Sequence, residues 1–339
     1  MRTLLFLAAL LSCCAARAQM IRPQSGSELR AAQLGLVIND DDPRSVEIGE
    51  YYRTTREVPA QNVVHVHIPN RPRKLDAEQF RQLKAQIDAG LGPQVQAVLM
   101  VWTAPYAVEC NSITSAFTLG LDVGLCQKPC GPGKPSSYFN APGGQPFRDY
   151  QMRLSMLLPT ESVEGAKALI GRGMVGGFSV PAATAWYLVT SETPRNSRAP
   201  FFPPSGTVAS KKLTIKNLRA DSIEGQGDIM IYQTGMARVA KLDTLQFLPG
   251  ALADHLTSTG GDLLSDGQMS SLRWLDAGAT ASYGSVTEPC NYWQKFPQPT
   301  VLLRHYLAGE TAIEAYWKSV AWPAQGVFIG EPLAAPYRR

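Results

Sequence analysis

Near-continuous apolar runs, separated by stretches with helical spacing, constrain this chain more than any other feature. They are AQLGLVIN (32–39), VQAVLMVW (95–102), AWYLVTS (185–191), GDIMIYQTG (227–235), FLPGALADHL (247–256), ATASYGSV (279–286) and GVFIGEP (326–332). A strand apolar on both faces must be covered on both faces, so such runs predict a largely parallel sheet between two layers of helices. VPAQNVVHVHIP (58–69) is a further strand. Asp42 caps and Pro43 opens a helix that runs to about Arg56. Asp76 caps a second, over 76–92, ending at Gly90 or Gly92. Residues 161–172 and 270–278 give two more helices, and 300–322 gives one long or two short ones. GVFIGEP is expected to close the sheet. Residues 194–210 read as loop. From Cys110 to about Asp149 the chain is rich in Gly, Pro, Ser and Cys without periodicity. That segment is expected to be an irregular insertion pinned by its cysteines.

The chain opens MRTLLFLAALLSCCAARAQM, with a basic start, an apolar run and Ala16-Arg17-Ala18. This reads as an export signal, too short to cross a bilayer. Cleavage after Ala18 is expected, which leaves one α/β domain over 19–339 with the insertion at about 110–150. Leu10-Leu11-Ser12-Cys13 supplies the alternative of a lipidated Cys13. Either way the mature protein is placed outside the cytoplasm, periplasmic or extracellular. No other segment has enough uninterrupted apolar residues for a transmembrane helix. The sequence holds 32 basic and 28 acidic residues, and the signal takes two of the basic ones. So small an excess excludes an electrostatic nucleic-acid binder. No cofactor motif is present.

Four cysteines follow the signal: Cys110, Cys126, Cys130 and Cys290. In an oxidising compartment an even count reads as two disulfides with three possible pairings. Zinc is the rival, but paired CxxC spacings are absent. Cys126 and Cys130 lie four positions apart in a Pro/Gly loop, and Cys110 and Cys290 each follow a strand. The pairs expected are therefore 126–130 and 110–290.

The run from GALADHLTSTGGDL through GQMSSLRWLDAGATASYGSVTEPCNYWQKFPQP to AIEAYWKSVAWPAQGVFIGEPLAAP resembles an exported bacterial protein family of unassigned function. The opening VINDDDPRSVEIGEYYRTTREVPAQNVVHV is similar to that family's N-terminal segment, so the likeness spans nearly the whole mature chain. More distantly, the layout resembles caspase-like (gingipain-type) peptidase domains. That resemblance implies a caspase-like, largely parallel sheet with a His-Gly turn after one strand and a catalytic cysteine after the next. At the matching turns stand Tyr232-Gln233-Thr234-Gly235-Met236-Ala237 and Asp254-His255-Leu256-Thr257-Ser258. Met236 replaces the histidine and the second turn has no cysteine, so the dyad is missing.

Ligands of open parallel sheets sit beyond the carboxyl ends of the strands. That rule gathers four polar clusters: Asn39-Asp40-Asp41, Cys110-Asn111-Ser112, Asp254 to Ser258, and Ser282-Tyr283 leading to Glu288. In ALADHLTSTGG (251–261), His255 has the chemistry of a general base for Ser258 or a water. Gly260 and Gly261 would then let backbone amides reach an oxyanion. The same residues equally describe a capped turn with a half-buried histidine. In the catalytic reading Asp254 or a distant carboxylate orients the imidazole, but neighbours on a strand face opposite ways, which argues against Asp254 doing so directly. Asp40 is a candidate for a ligand or cation, or a solvated loop acid. Tyr283 and Glu288, with Tyr292, Trp293 and Phe296 nearby, suggest a platform for peptide or sugar, or packing beneath a Pro-rich loop. His65 and His67 share one strand face but lack a third ligand, so no metal site is expected. His305 falls in a helix pattern and reads as structural. The function favoured is a non-catalytic binding or scaffold protein on a peptidase-like fold. The alternative is a hydrolase using His255 with Ser258 or an activated water.

Overall fold

A computed structural model describes residues 29–176, 178 and 180–339. Cleavage after Ala18 and lipidation of Cys13 both lie outside the described residues. In chain order the strands are β1 (Leu34–Asn39), β2 (Val63–Val66), β3 (Lys74–Leu75), β4 (Ala97–Val101), β5 (Ala107–Val108), β6 (Asn111–Ser112), β7 (Leu154–Leu157), β8 (Ala183–Val189), β9 (Gly206–Val208), β10 (Leu213–Arg219), β11 (Ile229–Thr234), β12 (Phe247–His255), β13 (Ala281–Ser285) and β14 (Gly326–Gly330). The helices are α1 (Pro43–Arg56), α2 (Ala77–Gly90), α3 (Ile113–Leu119), α4 (Val123–Gln127), α5 (Pro146–Tyr150), α6 (Val163–Gly173), α7 (Leu272–Asp276), α8 (Pro299–Leu307) and α9 (Ala312–Ser319). Eleven strands form one sheet in the order β2-β1-β4-β7-β14-β13-β12-β11-β8-β10-β9, and β3, β5 and β6 form a small second sheet.

The α/β class and the largely parallel sheet are as expected. Asp42 caps α1 by accepting from Arg44 N–H, and Asp76 forms a capping box with Gln79 at the start of α2. Phe80, Leu83 and Ile87, at helical spacing, are the residues α2 buries. α1 and α6 pack against each other, and Lys84 of α2 lies over the Phe117 ring of α3. A main core spans both halves of the sheet. A smaller one, around Trp186, Tyr232, Met269 and Trp274, lies against β8, β11 and β12.

β14 does not close the sheet. It lies in the middle, parallel to β7 and antiparallel to β13. β13 leads to α8 and α9, the two short helices of the 300–322 region, and these pack together as a hairpin. One helix between strands returns the chain to the starting edge of the sheet and gives a parallel neighbour. Two helices bring it back to the edge where β13 ended, so β14 runs the other way. The sheet therefore consists of two parallel halves pointing in opposite directions, with β9 as an antiparallel edge strand.

Three segments differ from expectation. LSML (154–157) is the central strand β7, and residues 206–219 supply β9 and β10. The segment read as an irregular insertion holds α3, α4 and α5. α3 covers β7 and β14, with Ser155 Oγ donating to Thr114 O at 2.7 Å, while Trp317 Nε1 of α9 donates to Ser155 O at 3.0 Å. α3 presents no exposed face to betray it, since six of its seven residues are buried, the polar Thr114, Ser115 and Thr118 among them.

The cysteines form two disulfides, but not those expected. Cys110 pairs with Cys126 and Cys130 with Cys290. Asn111 explains the first pair: its side chain accepts from Asp122 N–H and donates to Asp122 O, which brings the α4 turn to Cys110. Lys295, buried near the second pair, donates to Pro129 O at 2.7 Å and holds the loop against the segment after β13. Closing 16 residues contributes about 3 kcal/mol through chain entropy, and closing 160 about 5 kcal/mol. Cys290→Ser with Cys130→Ser should thus lower the urea midpoint more than Cys110→Ser with Cys126→Ser. Equal losses, or a 126–130 linked peptide in non-reducing maps, would contradict this arrangement.

Candidate functional site

Because β13 and β14 are antiparallel, the carboxyl ends of β1 and β4 leave one edge of the sheet and those of β11, β12 and β13 leave the other. The four clusters therefore do not form one site: Asn39-Asp40-Asp41 lies on one edge, while the other three segments meet at the opposite one, where Thr287 Oγ1 donates to Cys110 O at 2.9 Å and Gly261 N–H to Ser285 O at 2.8 Å. Asp40 bonds to His65 of the neighbouring strand. Asp254 and His255 end β12 on the opposite edge.

Asp254 and His255 face opposite sides, as strand geometry requires. Asp254 is fully buried and pairs with Arg198, Nη1 to Oδ1 at 2.5 Å. Gln233 Nε2 donates to its other oxygen at 2.9 Å. Arg198 also donates to Thr234 O at 2.8 Å and Pro297 O at 3.2 Å. Desolvation pushes the Asp254 carboxyl above its ordinary range, against the pull of Arg198. An aspartate so enclosed clamps the loop carrying Arg198 to the ends of β11 and β12.

His255 is 1% exposed and sits in the smaller core. Trp274 Nε1 donates to its Nδ1 at 2.9 Å. An indole nitrogen only donates, so Nδ1 is unprotonated and Nε2 carries the hydrogen, which goes to Met269 O at 3.0 Å. Both ring nitrogens are committed to structure. Burial lowers the imidazole pKa to about 3. Met269 also lines a 770 Å³ groove between residues 238–243 and 263–276, so His255 lies behind that groove's wall. The groove's charges are largely held internally: Arg238 donates to Asp266 O and Gly267 O, and Arg273 pairs with Asp276.

The expected partners of His255 have other tasks. Ser258 is half-buried, and no hydrogen bond joins it to His255 among the described residues. Gly261 N–H donates to Ser285 O at 2.8 Å, and a Cβ there would lie 2.4 Å from Gly284 O. These glycines let the loop lie flat on β13 rather than cradle an oxyanion. Tyr283 is fully buried and donates to Lys295 O at 2.5 Å, so it offers no platform. Phe296 is buried as well, while Tyr292 remains exposed. Exposed Glu288 accepts from Cys290 N–H at 2.7 Å in a turn. His305 lies in α8, as read, and is held between Glu310 and Asn140. The Met236 turn is fixed by Glu192, which accepts from Ala237 N–H and pairs with Arg195.

The other edge carries groups that the sequence reading kept apart. Asn39 is buried and replaces a strand rung: its side chain accepts from Ile68 N–H at 2.9 Å and donates to Ile68 O at 3.1 Å. That registers β2 on β1, so Asp40 and Asp41 meet His65 and His67. His65 Nδ1 lies 2.7 Å from Asp40 and His67 Nδ1 3.1 Å from Asp41. Asp41 holds the His67 imidazole above its ordinary pKa. The acids after one strand and the H-x-H of the next were both visible; their adjacency needed the parallel pairing of β1 and β2. Beyond His67 the loop turns through Asn70 and Arg71, both left-handed at φ 61° and 45°. Arg71 is held there by Asp42, 3.2 Å away, and by Glu161. Between this loop and α2 runs an open groove of 420 Å³. Among the described residues no group of three or more His, Cys, Asp or Glu is arranged to hold a metal, and no helix is long and apolar enough to cross a membrane.

Solved structures similar to this chain are peptidases. The Arg-specific cysteine proteinase gingipain R matches with a TM-score of 0.48 at 11% identity, over 91% of this chain and 79% of that one. A second protease matches at 0.46 and 11%, with the same coverage. The complex of Porphyromonas gingivalis RgpB pro- and mature domains matches at 0.41 and 11%, over 89% and 79%. No family model and no curated protein matches the chain. Likenesses at this level carry no conclusion about activity.

A neutral buried histidine has a stability signature. The unfolded imidazole titrates near 6.5 and the folded one near 3. The contribution of His255 is thus complete above pH 6.5 and is lost as pH falls toward 3, by up to about 1.4 kcal/mol per unit. In urea unfolding, the stability gap between wild type and His255→Gln should shrink from pH 7 to pH 4. A constant gap would show that His255 is not held neutral.

Proposed function

We propose that this chain is an exported binding protein rather than a hydrolase. One observation carries the reading: both nitrogens of His255 are engaged by Trp274 and Met269, so the acid–imidazole–hydroxyl stretch contains no free base. A general base must reach the proton it abstracts, and this one reaches only the core. Asp254 is equally occupied by Arg198 and Gln233. The groove beside the open His67–Asp41 pair is lined without serine, threonine or cysteine, so no side-chain hydroxyl or thiol stands ready for covalent catalysis. Two disulfides favour an oxidising compartment, in keeping with the signal-like opening.

A fluorophosphonate probe tests the reading directly. Wild type and Ser258→Ala should be equally unlabelled, and neither should hydrolyse ester or peptide substrates. Labelling of Ser258 that disappears in Ser258→Ala would restore the hydrolase.

A further inference from the structure

The groove between α2 and the 67–75 segment is lined by His67, Asn70, Gln79, Gln82 and Gln86 above Ile68, Pro69, Pro72, Leu75 and Leu83. Positions 79, 82 and 86 follow helical spacing, so three amides line one face of α2. Their orientations are fixed by their partners. Gln79 accepts from Asp76 N–H at 3.0 Å, which places its carbonyl toward the helix start and leaves its NH2 outward. Gln82 donates to a Glu78 carboxylate oxygen at 2.7 Å, and Gln86 donates to His65 O at 3.0 Å. Both acceptors are oxygens without hydrogen, so Gln82 and Gln86 must point their NH2 groups at the protein. Their carbonyl oxygens have no partner among the described residues. His67 keeps its Nδ1 on Asp41, which leaves Nε2 as a further group for a ligand.

We infer that this groove binds a neutral glycan, with hydroxyls on Gln79, Gln82, Gln86 and His67 and the apolar sugar face on Pro69 and Pro72. The inference rests on the binding-protein reading and names its ligand class. No lysine or arginine lines the groove to hold an anion, and no carboxylate lines it to hold a cation. The unengaged groups mix acceptors with a donor, and a hydroxyl satisfies either because it both donates and accepts. An extended peptide fits less well. It would bind by adding main-chain hydrogen bonds to the facing wall, and Pro69 and Pro72 remove two of that wall's N–H groups. The loop is held in place by Arg71 with Asp42 and Glu161. The groove therefore needs little ordering when a ligand arrives.

The test is an NMR titration of the full mature chain, labelled with ¹⁵N, against two neutral probes, cellotetraose and chitotetraose. A tetra-lysine and a tetra-glutamate peptide serve as controls. At least one sugar should shift the side-chain amide signals of Gln79, Gln82 and Gln86 saturably. Gln82→Ala with Gln86→Ala should weaken that binding at least tenfold while leaving the melting temperature unchanged, because both side chains are exposed. His67→Ala should weaken it separately. Absence of saturable shifts with either sugar, or shifts with a peptide alone, overturns the inference. Neither outcome affects the non-catalytic reading, which stands or falls on probe labelling of Ser258.

Discussion

The antiparallel seam between β13 and β14 is the constraint on which the rest of this structure depends. Five rungs join the two strands, from Ala281 opposite Gly330 to Ser285 opposite Gly326. On either side the strands run parallel, so each half presents its carboxyl ends to a different edge. Two sets of loops result, bridged by the segment after β4, where Tyr106 donates to Asp262. One set holds the Asp–His pairs and the amide-lined groove. The other holds Arg198, Asp254 and His255. A close approach enforces the seam: at Gly326 a Cβ would collide with the hydroxyl of Tyr283 across the pair. Tyr283, a candidate ligand platform from sequence, thus owes its position to packing.

Each half is anchored by a buried carboxylate. In one, Glu331 follows β14, with Tyr52 donating to it at 2.7 Å and Arg56 pairing at 2.6 Å. In the other, Asp254 ends β12 against Arg198. Breaking such a pair by removing one partner costs about 3–5 kcal/mol, because the remaining charge stays buried. In both cases the arginine reaches in from outside the sheet, from α1 or from the loop after β8. The pairs fix where a helix or loop meets the sheet, and that is their role whether or not they add net stability.

Much of the fold was legible because burial writes itself into composition. Strands covered on both faces carry few polar residues, and LGLVIN, AVLMV and ATAWYLV announce themselves. Caps at Asp42 and Asp76 were legible because capping is a local hydrogen bond. What stayed hidden depended on partners distant in sequence. The direction of β14 follows from two helices packing as a hairpin, and no residue of GVFIGEP encodes it. The disulfide pairing turned on Asn111 folding α4 back on Cys110. For the candidate site the limit was sharper. Asp254, His255 and Ser258 are the right residue types, and the opposite-face rule correctly separated the first two. That His255 is answered by Trp274 lay in a second segment, whose WLDAG reads simply as a helix end. The glutamine stripe of α2 was present in the letters but carries no motif.

The place of β14 has a consequence for how the protein is made. Chains emerge from the amino terminus, and here β14, in the middle of the sheet, is made after the thirteen strands before it. Until it arrives, β7 and β13 each lack a neighbour, and two half-sheets stand with an open edge apiece. Open edges pair with whatever strand is near. Cys130 must likewise wait for Cys290 while Cys126, four residues away, is already available. The topology therefore places the greatest hazard at one moment, just before Gly326–Gly330 appears.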